Sequence, residues 1–172
     1  IHVNHSIPDS MAFAITTPVG VVVHTGDFKV DYTPIEGKMI DLARFAELGK
    51  QGVLCMLGES PNAERPGYTD SERNVGRTLR GLFQQAGDRR IIIATFSSNI
   101  HRIQQIINLA AENGRKVAVS GRSMVNVVST AIELGYLSVP RDILIDADNI
   151  GRYSSDRLVI ITTGSQGEPM SA

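Results

Sequence analysis

The stretch Ile91-Ile-Ile-Ala-Thr95, followed by Phe96-Ser-Ser-Asn99 and then by Ile100, Ile103, Ile106, Ile107 and Ala110, decides the fold. A short β-branched apolar run reads as a buried strand, and apolar residues recurring every three or four positions read as one face of a helix. Ser97–Asn99 are residues that start helices, and Asn113-Gly114 are residues that stop them. The same unit recurs on either side. Upstream, Thr69-Asp-Ser-Glu72 is a capping box that predicts a helix to about Gln85. Downstream, Val117–Val119 leads through Ser120-Gly-Arg-Ser123 into a helix ending near Gly135. Ile143–Ile145 then leads into Asp146–Asp148, and Leu158–Thr162 is a last strand before Thr163–Glu168. Strands alternating with helices predict a mostly parallel sheet with helices on both faces, an α/β class of Rossmann-like architecture.

Before Thr69 the pattern differs. Met11–Thr17 and Gly20–Thr25 are β-rich runs joined by Pro18-Val-Gly20, which predicts a hairpin. Ile35–Gly49 carries a helical pattern stopped by Gly49, and Val53–Leu57 reads as a buried strand with Cys55 as a small buried hydrophobe. Gly58–Gly67, polar with two prolines, predicts a loop and a domain boundary. The whole chain, 172 residues with 42% hydrophobic and 20% charged, is enough for one large or two small domains. Seventeen basic against 18 acidic side chains leave a net charge of −1, so any nucleic-acid contact must be local rather than driven by overall charge. A single cysteine suits a reducing compartment, and a cytoplasmic location is expected. No apolar run reaches the roughly 20 residues that span a bilayer as a helix. Neither Ile1 nor Ala172 has the character of a terminus, so the chain is expected to be a piece of a longer polypeptide.

Two constellations carry candidate chemistry. The first is Asn4-His5-Ser-Ile-Pro-Asp9-Ser10 with His24-Thr-Gly-Asp27-Phe-Lys29. A residue before one strand of a hairpin and a residue after the next can share a sheet edge, so His5 and Asp27 are candidates for one metal. A hydrogen-bonded histidine and a turn aspartate are the competing account, because zinc needs three or four ligands. The second is the set of polar strand ends: Ser97, Ser98 and Asn99, then Ser120–Ser123, then Gly164, Ser165, Gln166, Gly167 and Glu168. Ligands of open α/β sheets sit at such ends, where helix N-termini face anions, and Arg102 adds a guanidinium one turn on. Ordinary helix caps and turns compete with that account. Glu59, just past the strand Val53–Leu57, is a candidate for orienting a catalytic histidine. No Walker loop and no Gly-x-Gly-x-x-Gly follows a strand.

Asn4–Ser10, His24–Lys29, Asn62–Gly67, Ala94–Asn99 with Arg102, and Gly164–Met170, in that order, resemble the bacterial ribonuclease J family. Those are metallo-β-lactamase-fold nucleases with an inserted β-CASP domain. The resemblance implies that residues 1–62 are the last part of a metallo-β-lactamase αββα half and that residues 63–172 are most of a β-CASP domain. It implies His5 as a metal ligand, Asp27 as the carboxylate bridging two divalent ions, and Glu59 as the acidic residue of the first β-CASP motif. Zinc is the expected metal and manganese the alternative. Gly58-Glu-Ser-Pro61 departs from the family's Ser-Asp-Ser-Thr, keeping the carboxylate but losing a hydroxyl and a backbone donor at Pro61. The family's His-x-His-x-Asp-His cluster would lie before Ile1 and its later histidine motifs after Ala172, so the chain alone is expected to be inactive.

For the intact protein the resemblance implies two-metal hydroxide attack on RNA phosphodiesters, as 5′-to-3′ exonuclease and endonuclease, in rRNA processing and mRNA decay. A 5′-monophosphate RNA end, a homodimer or tetramer and no membrane are the implied partners. Ser97, Ser98, Asn99, Arg102, Ser165 and Glu168 are expected to line the RNA path between the two domains. The alternative of another class is a non-catalytic nucleotide- or phosphate-binding α/β module, and a third is an oligomerisation piece.

Overall fold

The computed structural model describes residues 1–35 and 37–165. The chain divides into two compact units, Ile1–Arg73 and Asn74–Ala172.

The first unit holds β1 (Phe13–Thr17), β2 (Gly20–His24), α1 (Leu42–Gln51) and β3 (Cys55–Leu57). β1 and β2 form the expected antiparallel hairpin, Phe13 opposite His24 and Thr17 opposite Gly20. Its turn is closed by Thr17, whose Oγ1 donates to Gly20 O at 2.7 Å and accepts from Val19 N at 3.3 Å. β3 joins β2 in parallel, with Val22 opposite Cys55 and His24 opposite Leu57, in the order β1-β2-β3. The expected buried strand Val53–Leu57 is thus shorter and lies at a sheet edge, and both β3 and Cys55 are exposed. An apolar run of this length does not distinguish a covered strand from an edge strand. The expected helix Ile35–Gly49 also shifts to Leu42–Gln51. Asp41 caps it by accepting from Arg44 N at 3.0 Å, and it ends at Gly52, φ 98°, whose N–H donates to Leu48 O. Gly49 stays inside, since a cap side chain and a left-handed residue set helix ends more firmly than one interior glycine. Val3, Ala12 and Ile40 form a small core with Ile1, Phe28 and Phe45 against it.

The second unit holds nearly all of α2 (Glu72–Ala86), with β4 (Ile91–Ala94), α3 (Ile100–Glu112), β5 (Lys116–Ser120), α4 (Arg122–Glu133), β6 (Leu144–Ile145) and β7 (Leu158–Thr162). Two 3₁₀ turns, Ala147–Arg152 and Ser155–Arg157, precede β7. The four strands are all parallel in the order β4-β7-β5-β6, the α/β architecture read from the sequence. The last strand in the chain lies second in the sheet. α2 starts two residues later than the capping box implied: Ser71, rather than Thr69, accepts from a helix amide, Arg73 N at 3.3 Å.

Helices on both faces were expected, and the three α-helices of this unit instead pack their buried residues into one cluster on one face. Buried residues of α2, α3 and α4 (Phe83; Ile100, Ile103, Ile106, Ile107, Leu109 and Ala110; Met124, Val128 and Ala131) cluster with Val117, Val159 and Ile161. Strand alternation puts those three strand residues, with Ile91 and Ile93, on one face. The other face carries Ile92, 65% exposed on the edge strand, and Ala118 and Leu158, both fully buried. Each isoleucine buried from α3 contributes about 1.5–3 kcal/mol relative to exposure. One buried polar side chain, Gln104, is satisfied at both ends, donating to Ser138 O and accepting from Ser138 N at 2.8 and 2.7 Å. The buried Arg115 donates to Arg89 O and Gly87 O, the carbonyls just past α2.

Candidate functional site

In the first unit the candidate residues gather past the carboxyl ends of β2 and β3. Thr25, 5% exposed, ties the two ends together. Its N–H donates to Leu57 O at 3.0 Å, and its hydroxyl donates to Gly26 O at 2.7 Å and accepts from Glu59 N at 3.3 Å. That bond fixes the backbone of Glu59, which is half-buried, beside the turn carrying Asp27, which is exposed. Gly26 makes the turn possible: at φ 60° a Cβ there would stand 2.8 Å from Met11 O. His24 Nδ1 accepts from Gly26 N at 3.1 Å.

His5 is reached through Asn4. Lys29 N donates to Asn4 O at 2.7 Å in an isolated antiparallel bridge, which runs the segment of His5 alongside that of Asp27. The Asn4 side chain donates to Lys38 O at 2.7 Å and accepts from Ile40 N at 2.8 Å, and His2 Nε2 donates to Lys38 O. Ser6 Oγ lies 3.2 Å from His5 Nδ1. Asp31 anchors the segment after Asp27. Burial alone would raise its pKa, but the bonds from Thr33 N at 2.9 Å and from Ser71, and the charge of Lys29, hold it below the ordinary aspartate range.

Among the described residues no three His, Cys, Asp or Glu side chains come close enough to hold a metal. A zinc centre takes at least three protein ligands, so these residues do not fit a complete metal centre. His5 and Asp27 are at most a part of one.

In the second unit the polar strand ends meet along the carboxyl edge of the parallel sheet. Ser97, after β4, and Ser123, in the first turn of α4, bring their hydroxyls to 3.0 Å. Asn99 is 6% exposed and caps α3, its Oδ1 accepting from Arg102 N at 3.1 Å. Ser98 and Ser165 are exposed and Arg102 is half-buried. Glu168 and the rest of the motif after Ser165 lie outside the described residues.

Two residues were missed as site residues in the sequence. Thr25 sits within the His24–Lys29 motif as an ordinary strand residue, and only the parallel pairing of β2 with β3 makes it a bridge. Ser123 lies in a polar strand end noted above, but its meeting with Ser97 requires the sheet order. Among the described residues no helix is long and apolar enough to cross a membrane.

Comparison with known proteins agrees along the whole chain. Residues 88–172 match the family model "Ribonuclease J, beta-CASP domain". The chain is 48% identical over 168 residues to Ribonuclease J of Synechocystis, covering 98% of this chain and 26% of that protein. It is 45% identical over 172 residues to Ribonuclease J of Helicobacter pylori, 100% of this chain and 25% of that protein. It is 45% identical over 168 residues to Ribonuclease J2 of Bacillus subtilis, 98% of this chain and 30% of that protein. The chain therefore spans between a quarter and a third of these relatives. A crystal structure of a protein of unknown function from Enterococcus faecalis shares the fold, with a TM-score of 0.60 at 14% identity over 97% of this chain and 41% of that one.

Proposed function

The chain belongs to the ribonuclease J family, and on that premise we propose that it is a segment of a metal-dependent ribonuclease acting on RNA phosphodiester bonds. The identity of 45–48% along essentially its whole length with proteins named Ribonuclease J is the observation that carries this reading. The longer polypeptide combines 5′-to-3′ exonuclease and endonuclease action on RNA with a 5′-monophosphate end, in RNA processing and decay. It works in the cytoplasm as a homodimer or tetramer. In this reading residues 1–62 are metallo-β-lactamase sequence and residues 63–172 β-CASP sequence.

His5 and Asp27 are this chain's ligands for two divalent ions, zinc first and manganese second. Because the described residues hold no cluster of three ligands, the metals are completed by other parts of the polypeptide and the hydrolytic step belongs there. What this chain contributes is positioning. Thr25 fixes Asp27 and Glu59 at neighbouring strand ends, and Glu59 supports a histidine near the scissile phosphate. Ser97, Ser98, Asn99, Arg102, Ser165 and Glu168 line the RNA path.

The test is cleavage of a 5′-monophosphorylated RNA by the full-length protein, with and without chelator, and with Asp27→Asn. Loss of cleavage in both cases, restored by zinc or manganese in the unsubstituted protein alone, is the expected result. Metal-independent cleavage sinks the metal assignment. RNA binding without cleavage under any metal favours the second reading, a non-catalytic phosphate-binding α/β module, which the incomplete ligand set and polar strand ends support.

A further inference from the structure

The segment that follows Asp27 is fastened to the start of α2 by polar contacts centred on one buried carboxylate. Asp31 is 7% exposed. Its Oδ1 accepts from Thr33 N at 2.9 Å and from Thr33 Oγ1 at 3.4 Å, and its Oδ2 lies 3.8 Å from Lys29 Nζ. Its remaining partners are at the helix: the carboxylate accepts from the Glu72 backbone and faces the Ser71 hydroxyl. Around it, Ser71 Oγ donates to Thr33 O at 3.0 Å, Arg73 Nη2 donates to Pro34 O at 3.3 Å and Lys29 Nζ donates to Asp70 O. Ser71 Oγ also accepts from Arg73 N at 3.3 Å, so the first two amides of α2 go to Asp31 and Ser71. A helix start needs such acceptors, and here one of them comes from a distant stretch of chain.

The hold is polar. Residues 61–70, which lead into the helix, are exposed throughout. Among the described residues neither 29–34 nor 68–73 supplies a side chain to an apolar cluster. Removing one acceptor from such a network therefore loosens the whole attachment, with no apolar packing to keep it in place. The other end of the network reaches the candidate metal segment. Lys29 lies two residues from Asp27, and its N–H donates to Asn4 O at 2.7 Å. Lys29 thus joins Asn4 through its backbone and the start of α2 through its side chain.

We propose that Asp31, with Lys29 and Ser71, is a positioning residue: it caps α2 from outside the helix and so locks the helix start to the backbone segment that carries Asp27. A disturbance at either end is then felt at the other. The effect on catalysis rests on the ribonuclease reading, and the lock itself does not.

The test is hydrogen exchange of the full-length protein, followed amide by amide, with cleavage of a 5′-monophosphorylated RNA as the second readout. Asp31→Asn keeps the shape of the side chain, removes its charge and speeds exchange of the Glu72 and Arg73 amides about tenfold. Ser71→Ala, made at the helix, speeds exchange of the Thr33 and Lys29 amides by a comparable factor. Asp41→Ala removes the cap of α1 in the same unit and leaves all four amides unchanged. In both lock variants kcat falls about tenfold or more while KM for RNA is kept, and the double variant loses no more than the worse single one. Unchanged Glu72 and Arg73 exchange in Asp31→Asn overturns the proposal, as does unchanged Lys29 exchange in Ser71→Ala. Faster exchange of the same amides in Asp41→Ala also overturns it, since general loosening then accounts for the result. Faster exchange with a normal kcat overturns the positioning role. If Asp31→Asn fails to fold, Ser71→Ala decides alone. Absence of cleavage by the unsubstituted protein overturns the ribonuclease reading and leaves exchange to decide the lock.

Discussion

Thr25, Gly26 and Asp31 hold the candidate metal segment by three different means. Thr25→Val keeps the shape of the side chain but removes the acceptor of Glu59 N. It is expected to cost about 1–2 kcal/mol in urea unfolding and to speed hydrogen exchange of the Glu59 amide ahead of neighbouring amides. Unchanged exchange there would mean that the hydroxyl does not hold Glu59. Gly26→Ala adds a methyl group 2.8 Å from Met11 O at a positive φ, and neither the backbone nor a flexible side chain can give way. A loss of about 2 kcal/mol or more is expected, against a few tenths for Gly49→Ala inside α1. Asp31 predicts a pH dependence. Its folded pKa lies below the ordinary aspartate range, so its stabilisation is complete above the ordinary carboxylate range and is lost as pH falls through the folded value. Asp31→Asn should therefore lower the melting temperature at pH 7, by an amount that shrinks as the pH is taken down through the acid range.

At the scale of elements, ends and edges decide more than propensity does. α3 is helical by pattern, but its start is set by Asn99, whose Oδ1 accepts from Arg102 N. Asn99→Ala is expected to cost about 1 kcal/mol in thermal unfolding and Asn99→Asp much less. If Asn99 also touches RNA, Asn99→Asp weakens RNA binding while keeping the cap, and equal binding by the two proteins would leave Asn99 a cap only. The expected end of α1 at Gly49 moved to Gly52 because the residue that leaves right-handed φ/ψ space, rather than any glycine, stops a helix. β3 shows the same limit. Its apolar Cys55-Met-Leu57 reads as buried, and its place at the end of the order β1-β2-β3 leaves it exposed.

Across the whole molecule, the ligand set expected of a metal enzyme is incomplete among the described residues. The 172-residue chain is accordingly expected to bind less than one zinc per chain in equilibrium dialysis, while the full-length protein binds close to two. Stoichiometric zinc on the short chain would show that its own residues complete a centre.

Legibility follows range. Parallel strands, alternating helices and most element cores were readable, because period-2 and period-3.6 patterns are local consequences of side-chain direction. The order of motifs from Asn4 to Gly164 was also readable, and so was the family, because chemistry-bearing residues keep their sequence spacing whatever the packing. Three things were not. The insertion of β7 between β4 and β5, the packing of the three helices into one cluster on one face and the meeting of Ser97 with Ser123 depend on which distant strands pair. Thr25 belongs with them, since its hydroxyl became a bridge only when Leu57 came alongside His24. The sequence by itself determined the elements and the family. The tertiary structure alone decided which strand ends became neighbours, because hydrogen-bonded pairing between distant segments leaves no periodic trace in either one.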